Sequence, residues 1–169
     1  MKTSVDVILK DYDLGLLEED YDRISIFVEE TEKLNRICSR VNKLTKGAIL
    51  RAISSKEFEK KSCGDVLTLS FPGTLQAKYL DLVKWKKSGQ PIDARKAGVN
   101  LAKKSNNSKI LVCANEQKFS EELMKGYLLR RYEFSNYKTI EDKGVGSVTL
   151  MIKRPKDFEK PLSETKAVV

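Results

Sequence analysis

The sequence predicts an α/β domain in which helices cover both faces of a β-sheet. From residue 23 onward, stretches rich in β-branched residues alternate with amphipathic helical stretches, in the order strand, helix, strand, strand, helix, strand, helix, strand. The run KILVCAN, residues 109–115, is almost continuously apolar, as expected of a central strand that is buried on both faces. The 169 residues suffice for a single domain with a hydrophobic core.

Two strands and a helix are predicted in the first third of the chain. VDVIL, residues 5–9, alternates between polar and apolar residues, and RISIFVEE, residues 23–30, is rich in β-branched residues. Thr31 fits the N-cap of the helix that follows, and Gly47 is expected to interrupt that helix before a second short helical piece. Spacings of three and four define the apolar face of the helix, which consists of Leu34, Ile37, Cys38, Val41 and Leu44.

Two further strands precede a helix with a small-residue face. The strands are predicted over residues 66–71, ended by Pro72 and Gly73, and over residues 77–85. Pro91 is placed at the first turn of the next helix, a position where its missing N–H costs nothing. Small residues gather on one side of this helix, which suits close packing on a sheet, and they are Ala94, Ala97, Gly98, Leu101 and Ala102.

The last part of the chain alternates again and then becomes charged. After the strand at 109–115, a helix is predicted over residues 119–131, a loop over 140–146 and a final strand over 147–152. The remaining residues, KRPKDFEKPLSETKAVV, contain two prolines and many charges, so they are interpreted as a linker.

Several kinds of catalytic site are excluded by composition. The chain contains no histidine, which rules out serine–histidine and cysteine–histidine catalysis and metal binding through imidazole. Its three cysteines, Cys38, Cys63 and Cys113, lack paired spacing, which argues against a disulfide framework and a thiolate zinc site. Cys38 and Cys113 lie in apolar stretches and are predicted to be buried. Catalysis by carboxylates or lysine stays open, although no motif points to it.

The sequence also predicts a cellular compartment. No apolar run approaches the ~18–20 residues that cross a bilayer. The first residues, MKTSVDVILKDYD, place charges on both sides of a five-residue apolar stretch, whereas a secretory signal needs a longer one and a small-residue cleavage site. We therefore predict no signal and expect a cytoplasmic protein.

A formal net charge of +8 would favour the approach of a polyanion in a salt-dependent way. The 24 acidic residues are nevertheless interspersed with the 32 basic ones, so a solvated basic surface is the simpler interpretation. If the chain contacts DNA, the contact is expected at the clustered lysines, which are Lys84, Lys86, Lys87, Lys103 and Lys104.

The segment GYLLRRYEFSNYKT, residues 126–139, carries the most specific motif. It resembles a segment near the end of the N-terminal domain of leucine (cytosol) aminopeptidases of the bacterial aminopeptidase A type. The shared pattern is a glycine, a short apolar helical turn and aromatic-x-Phe-x-x-Tyr-Lys-Thr. RKAGVNLAKK, residues 95–104, is similar to the helix that precedes it, and the resemblance covers about residues 20–155. The matching residues are Gly126, Leu129, Tyr132, Phe134, Tyr137, Lys138 and Thr139.

On the residues alone, this segment is the structural close of the last helix of the domain. Gly126 would permit close contact between that helix and the sheet. Arg130 and Arg131 would lie in its last turn, where cations interact favourably with the helix dipole.

The resemblance implies a three-layer α/β/α, macro-domain-like mixed sheet for residues 1–155. Residues 156–169 would begin a linker to a C-terminal catalytic domain. That domain holds two divalent metals, manganese or zinc, which polarise the peptide carbonyl and activate water, and the enzyme is a hexamer. The metal-ligand segment of the family does not occur in this sequence. The chain alone is therefore expected to lack catalytic and metal-binding residues, to be inactive as a peptidase, and to support the hexamer.

Two alternatives remain open at this point. One is a stand-alone module that binds nucleic acid or a nucleotide of the ADP-ribose type, although no convincing glycine-rich phosphate loop is present. The other is an enzyme in its own right, which the missing histidine disfavours.

Overall fold

A computed structural model describes residues 5–29, 33–105, 107–136 and 146–168 of the chain. Six strands form one sheet in these residues, in the spatial order β1-β6-β5-β2-β4-β3. The strands are β1 (Asp6–Lys10), β2 (Arg23–Glu29), β3 (Val66–Ser70), β4 (Tyr79–Trp85), β5 (Lys109–Cys113) and β6 (Ser147–Met151). The helices are α1 (Arg36–Leu44), α2 (Ala48–Ile53), α3 (Lys56–Glu59), α4 (Pro91–Ser105), α5 (Ser120–Asn136) and α6 (Pro155–Val168), with a 3-10 helix at Leu14–Glu18.

The sheet is mixed. The neighbours β1 and β6, β6 and β5, β5 and β2, and β2 and β4 all pair in parallel, whereas β3 pairs with β4 in antiparallel. The carboxyl ends of five strands therefore lie at one edge of the sheet. Each strand predicted from the sequence is present, within two residues of its predicted bounds.

Two hydrophobic cores lie on opposite faces of the sheet, because alternate residues of each strand point to opposite sides. In β2, Ile24, Ile26 and Val28 join the core beneath α1, α2 and α3, whereas Phe27 faces the core beneath α4, α5 and α6. The predicted three-layer α/β/α arrangement is thus confirmed. The predicted burial of Cys38 and Cys113 is also confirmed.

The first helix begins later than predicted. Asn35 is the N-cap of α1, and its side-chain oxygen accepts the backbone N–H of Cys38 at 2.8 Å. The predicted cap, Thr31, lies outside the described residues. Gly47 does separate α1 from α2, and its φ of +87° is one that glycine adopts without strain.

The charged tail forms a helix. Residues 155–168 are helical as α6, with Pro155 at the first position and Pro161 inside. Leu162 and Thr165 are buried, and Leu162 belongs to the core beneath α4 and α5. The tail thus packs on the domain instead of forming an irregular segment. A domain boundary at residue 155 stays a prediction.

The small-residue face of α4 is buried as predicted, but its closest contact is with α5. Gly98 faces the backbone of Leu123, and Gly126 faces the backbone of Arg95. The role predicted for Gly126, close contact with the sheet, is therefore corrected to close contact with a helix. Because α5 continues to Asn136, Arg130 and Arg131 lie before its last turn.

Candidate functional site

A crevice opens at the carboxyl ends of the parallel strands, beside β2 and β5. From β2 the chain proceeds to β3 and β4 on one side, whereas from β5 it proceeds to β6 on the other. Ligands of open α/β sheets bind where the strand order reverses in this way. Three adjoining cavities of about 400, 320 and 400 Å³ lie here, and Glu116, in the connection between β5 and α5, lines all three.

One of the larger cavities has an aromatic wall. Phe27 at the end of β2 and Trp85 at the end of β4 meet edge to face, with ring centroids 5.8 Å apart, and Phe119 adds a third ring. Gly89 lies against the Trp85 indole so closely that a Cβ there would be 2.5 Å from the ring. Trp85 is therefore held in place by its own turn. Charged residues complete the lining, and they are Glu29, Lys87, Glu116 and Lys118.

The smallest cavity lies at the N-terminus of α1. Asn35, Arg36 and Ile37 line it together with Tyr12, Asn115, Glu116 and Lys153. Lys153 Nζ lies 3.7 Å from Glu116 Oε2 in an exposed ion pair. Asn115 is only 8% exposed, so most of this polar residue is buried beside the crevice.

Two polar atoms in the cavity linings are buried without a hydrogen-bond partner among the described residues. They are Tyr12 Oη, in the smallest cavity, and Gln117 Nε2, whose residue lines both larger cavities. Buried polar atoms are nearly always hydrogen-bonded, to protein or to an ordered water or ligand. These two atoms therefore mark the crevice as a place where a polar ligand or water would be held.

The ionisable groups near the crevice suit binding better than nucleophilic chemistry. Burial raises the pKa of the Cys38 thiol to about 12, and burial also raises the pKa of the Cys113 thiol. Both thiols are protonated at neutral pH, whereas the thiolate is the nucleophile. In the part of the chain that the structure describes, no group of three or more cysteine, aspartate or glutamate residues could hold a metal ion.

Lys84, one of the lysines predicted to contact DNA, does not have an accessible ammonium group. It is 1% exposed, and its Nζ donates to the carbonyl oxygens of Phe58 at 2.9 Å and Glu59 at 3.0 Å. The prediction was wrong for this residue because Lys84 lies in β4 on the face that α3 covers. Its charge is used to hold the end of that helix.

The remaining predicted lysines do not form one patch. Lys86 and Lys87 are exposed in the connection between β4 and α4, whereas Lys103 and Lys104 lie in the last turn of α4. The 15 residues of this helix separate the pairs by roughly 20 Å, since an α-helix rises about 1.5 Å per residue. Lys87 alone among them lines one of the three cavities.

The aminopeptidase-like motif is only partly described. Gly126 contacts α4 as stated above, and Tyr132 is half-buried in α5. Phe134 lies in the same helix. Tyr137, Lys138 and Thr139 lie outside the described residues.

Comparison with known proteins agrees with the motif. No protein-family model matches the chain. A probable cytosol aminopeptidase of Dinoroseobacter shibae is 32% identical over 156 residues, which are 92% of this chain and 32% of that protein. A probable cytosol aminopeptidase of Cereibacter sphaeroides is 33% identical over 143 residues, 85% of this chain and 29% of that protein. The chain is related to the cytosol aminopeptidases.

This aminopeptidase-related chain spans about a third of the length of the curated relatives it matches. The coverage is consistent with the N-terminal domain that the motif indicated. No helix in the described part of the chain is both long and apolar enough to cross a membrane.

Solved structures show the fold of the aminopeptidase-related chain. The macro domain of ganglioside induced differentiation associated protein 2 superposes with a TM-score of 0.67, covering 96% of this chain and 85% of that one at 13% identity. A Trypanosoma brucei macrodomain in complex with ADP-ribose superposes with a TM-score of 0.63 at 13% identity, and the match covers 96% of this chain and 69% of that one. An Oceanobacillus iheyensis macrodomain superposes with a TM-score of 0.62 at 13% identity, and the match covers 99% of this chain and 95% of that one. The predicted macro-domain-like fold is confirmed.

The sequence interpretation missed the crevice residues Tyr12, Asn115 and Gln117. Asn115 ends the stretch predicted as the most apolar strand, and Gln117 lies between that strand and the predicted helix that begins at residue 119. The rule that ligands bind beyond the carboxyl ends of parallel strands would have drawn attention to them. Tyr12 also follows the carboxyl end of a strand, β1, and the parallel pairing of β1 with β6 brings it to the same edge.

Proposed function

We propose that this chain is the N-terminal accessory domain of a cytoplasmic leucyl aminopeptidase, a metallopeptidase that removes N-terminal residues from peptides. The observation that carries the proposal is the pattern of similarity, which extends over 85–92% of this chain but only 29–32% of the relatives. One domain of a larger enzyme has this pattern. The domain would support assembly of a hexamer and shape access to the active site.

The metal chemistry of the proposed enzyme would lie outside this domain. Two divalent ions, manganese or zinc, require a converging set of carboxylate ligands, and the described residues do not offer one. Histidine ligands are not available either. The described residues of this chain therefore do not fit the metals, and no step of peptide hydrolysis is assigned to them.

The proposal is tested with a chimera. The matching third of the Dinoroseobacter shibae relative would be replaced by this chain, and hydrolysis of a leucyl anilide with added manganese would be measured alongside molar mass by light scattering. We expect the chimera to be active and hexameric and the 169-residue chain alone to be inactive. The relative truncated to its other two thirds is the matched control. Activity of this chain alone would contradict the proposal.

A second candidate function is the binding of a nucleotide of the ADP-ribose type. It is supported by the aromatic cavity of Phe27, Trp85 and Phe119 and by the buried Tyr12 Oη and Gln117 Nε2 without described partners. Two structures of similar fold, both Trypanosoma brucei macrodomains, were solved in complex with ADP and with ADP-ribose. Such a ligand would be held by stacking of its base on the aromatic rings and by hydrogen bonds to the buried polar groups.

Calorimetric titration with ADP-ribose and with ADP tests this second function. The Trp85→Leu variant should weaken binding by removing a ring from the wall, and Lys103→Ala, at the far end of α4, is the matched control. Absence of binding heat, with the chain folded by circular dichroism, would rule the function out. This result would leave the accessory-domain proposal unaffected.

Contact with DNA is a further role proposed for the domain. Four exposed or half-exposed lysines remain available, in two separate pairs, Lys86 with Lys87 and Lys103 with Lys104. Reversal of one pair to glutamate should lower affinity for duplex DNA and reduce the slope of log K against log salt by about two. The comparison of the two double variants would identify the face in contact. Unchanged affinity at low salt for both variants would contradict DNA contact through these lysines.

A further inference from the structure

The smallest cavity of the crevice lies between the N-terminus of α1 and the connection that follows β5. Its volume of about 320 Å³ is in the range of small-molecule sites. Glu116 and Lys153 line both this cavity and a neighbouring one of about 400 Å³, so the two cavities share a wall. The neighbouring cavity has an apolar side formed by Ile152, Phe158 and Pro161. A ligand could therefore place a polar group in the first cavity and an apolar group in the second.

The N-terminus of α1 provides free backbone donors at the smallest cavity. Asn35, Arg36 and Ile37 line the cavity at the start of this nine-residue helix. The side chain of Asn35 accepts the N–H of Cys38 at 2.8 Å, whereas the N–H groups of Arg36 and Ile37 have no acceptor among the described residues. Unpaired N–H groups and the positive end of a helix dipole attract an anion. This end of the cavity therefore suits a carboxylate.

Asn115 independently indicates a polar ligand. It is only 8% exposed and lines both cavities, yet its side chain makes no hydrogen bond to any other residue that the structure describes. An amide has two N–H donors and an acceptor oxygen, and buried polar groups are nearly always hydrogen-bonded. Tyr12 Oη, buried in the smallest cavity without a described partner, shows the same deficit. A polar ligand in the cavity would bond to both groups.

Charges of both signs line the smallest cavity. Arg36 and Lys153 are exposed cations, and Glu116 is an exposed carboxylate. The pair of Lys153 Nζ and Glu116 Oε2, 3.7 Å apart, has side chains that are 67% and 60% exposed, and such pairs contribute little to stability. Arg36 forms no ion pair within the described part of the chain. A ligand that carries both charges can therefore compete for these side chains at little cost.

We propose that the smallest cavity binds a free α-amino acid with an apolar side chain. The carboxylate of the ligand accepts from the N–H groups of Arg36 and Ile37, and its ammonium group pairs with Glu116. The amide of Asn115 bonds to the same polar head group. The apolar side chain of the ligand enters the neighbouring cavity and packs against Phe158.

The mixed charge of the lining favours a zwitterion over other small ligands. A multiply charged anion would lie beside Glu116, and an amine without a carboxylate would lie beside Arg36 and Lys153. An α-amino acid carries one charge of each sign, as the cavity requires. The inference depends on neither proposed function, since it uses only this cavity and its neighbour. If the accessory-domain proposal holds, the ligand belongs to the class of product that an aminopeptidase releases.

An NMR titration of the 169-residue chain with four small molecules tests the proposal. Leucine carries both charges, N-acetyl-leucine lacks the ammonium group, leucinamide lacks the carboxylate, and glycine lacks the apolar side chain. We expect leucine to shift the backbone amide signals of Arg36 and Ile37 and the side-chain amide signals of Asn115. N-acetyl-leucine and leucinamide should each bind roughly tenfold more weakly or worse, because each loses a charge-assisted interaction. Glycine should also bind more weakly than leucine.

Glu116→Gln and Glu121→Gln are a matched pair of variants. Both residues are exposed, but Glu121 lines the neighbouring cavity and not the smallest one. Glu116→Gln should weaken leucine binding by roughly tenfold and leave the weak binding of N-acetyl-leucine unchanged, whereas Glu121→Gln should bind leucine like the original chain.

Three results would overturn the proposal. The first is a folded chain whose signals at these positions do not shift with leucine up to about 10 mM. The second is equal affinity for leucine and N-acetyl-leucine. The third is leucine affinity that does not change in a folded Glu116→Gln variant.

Discussion

Gly98 of α4 and Gly126 of α5 allow the two helices to pack backbone against backbone. A Cβ at Gly98 would lie 2.0 Å from the carbonyl oxygen of Leu123, and a Cβ at Gly126 would lie 2.1 Å from the carbonyl oxygen of Arg95. Each glycine thus receives the main chain of the other helix. Since backbone atoms cannot move aside as a flexible side chain can, no other residue fits at either position.

Alanine at either glycine should therefore destabilise the domain. We expect Gly98→Ala and Gly126→Ala each to lower the free energy of unfolding by about 1–3 kcal/mol or more, because the helices must separate. Intrinsic helix propensity acts in the other direction, since alanine is favoured over glycine by about 1 kcal/mol. Urea unfolding measures the difference. The exposed Lys103→Gly on α4 is the control for propensity, and a stabilised Gly98→Ala would contradict the packing.

A buried ion pair joins β2 to β4. Asp81, 2% exposed, accepts from Arg23 Nε at 3.0 Å and from Arg23 Nη2 at 2.8 Å, and it also accepts from the Thr68 hydroxyl at 2.6 Å. Asp81→Ala should cost about 3–5 kcal/mol, because it leaves the guanidinium buried without its counter-charge. Chemical denaturation would measure this loss.

The double variant Arg23→Met with Asp81→Leu is the informative control. Replacing both charges by apolar groups is often close to neutral, so it should recover most of the lost stability. A double variant as unstable as Asp81→Ala would show that the pair contributes through shape and not through charge balance.

Stability should depend on pH through the ion pair between α4 and α5. Burial alone would raise the pKa of Glu122, but the Arg95 guanidinium, at 2.7 Å, and Lys125 outweigh it, so the pKa of this carboxyl lies below its usual range. Because the pKa of this carboxyl is lower in the folded chain than in the unfolded chain, its ionised form stabilises the folded state at pH values above the unfolded pKa. That contribution is lost as the pH falls through the folded value.

Glu122→Gln should therefore be less stable than the original chain at pH 7 and equally stable in acid. The pair is partly exposed, so the difference at neutral pH should be only about 0.5–1 kcal/mol. Thermal unfolding from pH 7 down to below pH 4 would measure it. A difference that persists in acid would assign the effect to packing rather than to charge.

The three cysteines should differ in reactivity. Cys38 and Cys113 are buried, whereas Cys63 is half-buried, and burial raises the pKa of all three thiols. Iodoacetamide should modify Cys63 first in the native chain, and the other two only after unfolding in urea. Because the thiolate reacts, the rate at Cys63 should rise about tenfold per pH unit below its pKa. Mass spectrometry of samples taken over time measures the order of modification. Modification of Cys38 before Cys63 in the native chain would contradict the prediction.

Local sequence patterns determined most of the elements. The predicted strands from β1 to β6 are present because hydrophobic alternation and β-branched runs act over a few residues. The bounds depend on details such as helix capping, since α1 begins at Arg36 after the side chain of Asn35 caps it. The helix α6 was not predicted, because its prolines and charges are typical of a linker. In the structure, α6 buries Leu162 in the core, and this is a tertiary contact that local sequence patterns do not show.

The sequence by itself determined the α/β layering, the burial of Cys38 and Cys113 and the relationship to aminopeptidases, because periodicity, composition and a linear motif are all local in the chain. Tertiary structure alone decided which residues meet. It placed Lys84 beneath α3, whereas the nearby Lys86 and Lys87 are exposed. It also brought Tyr12 and Asn115 to the same cavity at the crevice. Strand order and helix crossing set such distances, and they depend on contacts between residues far apart in the chain.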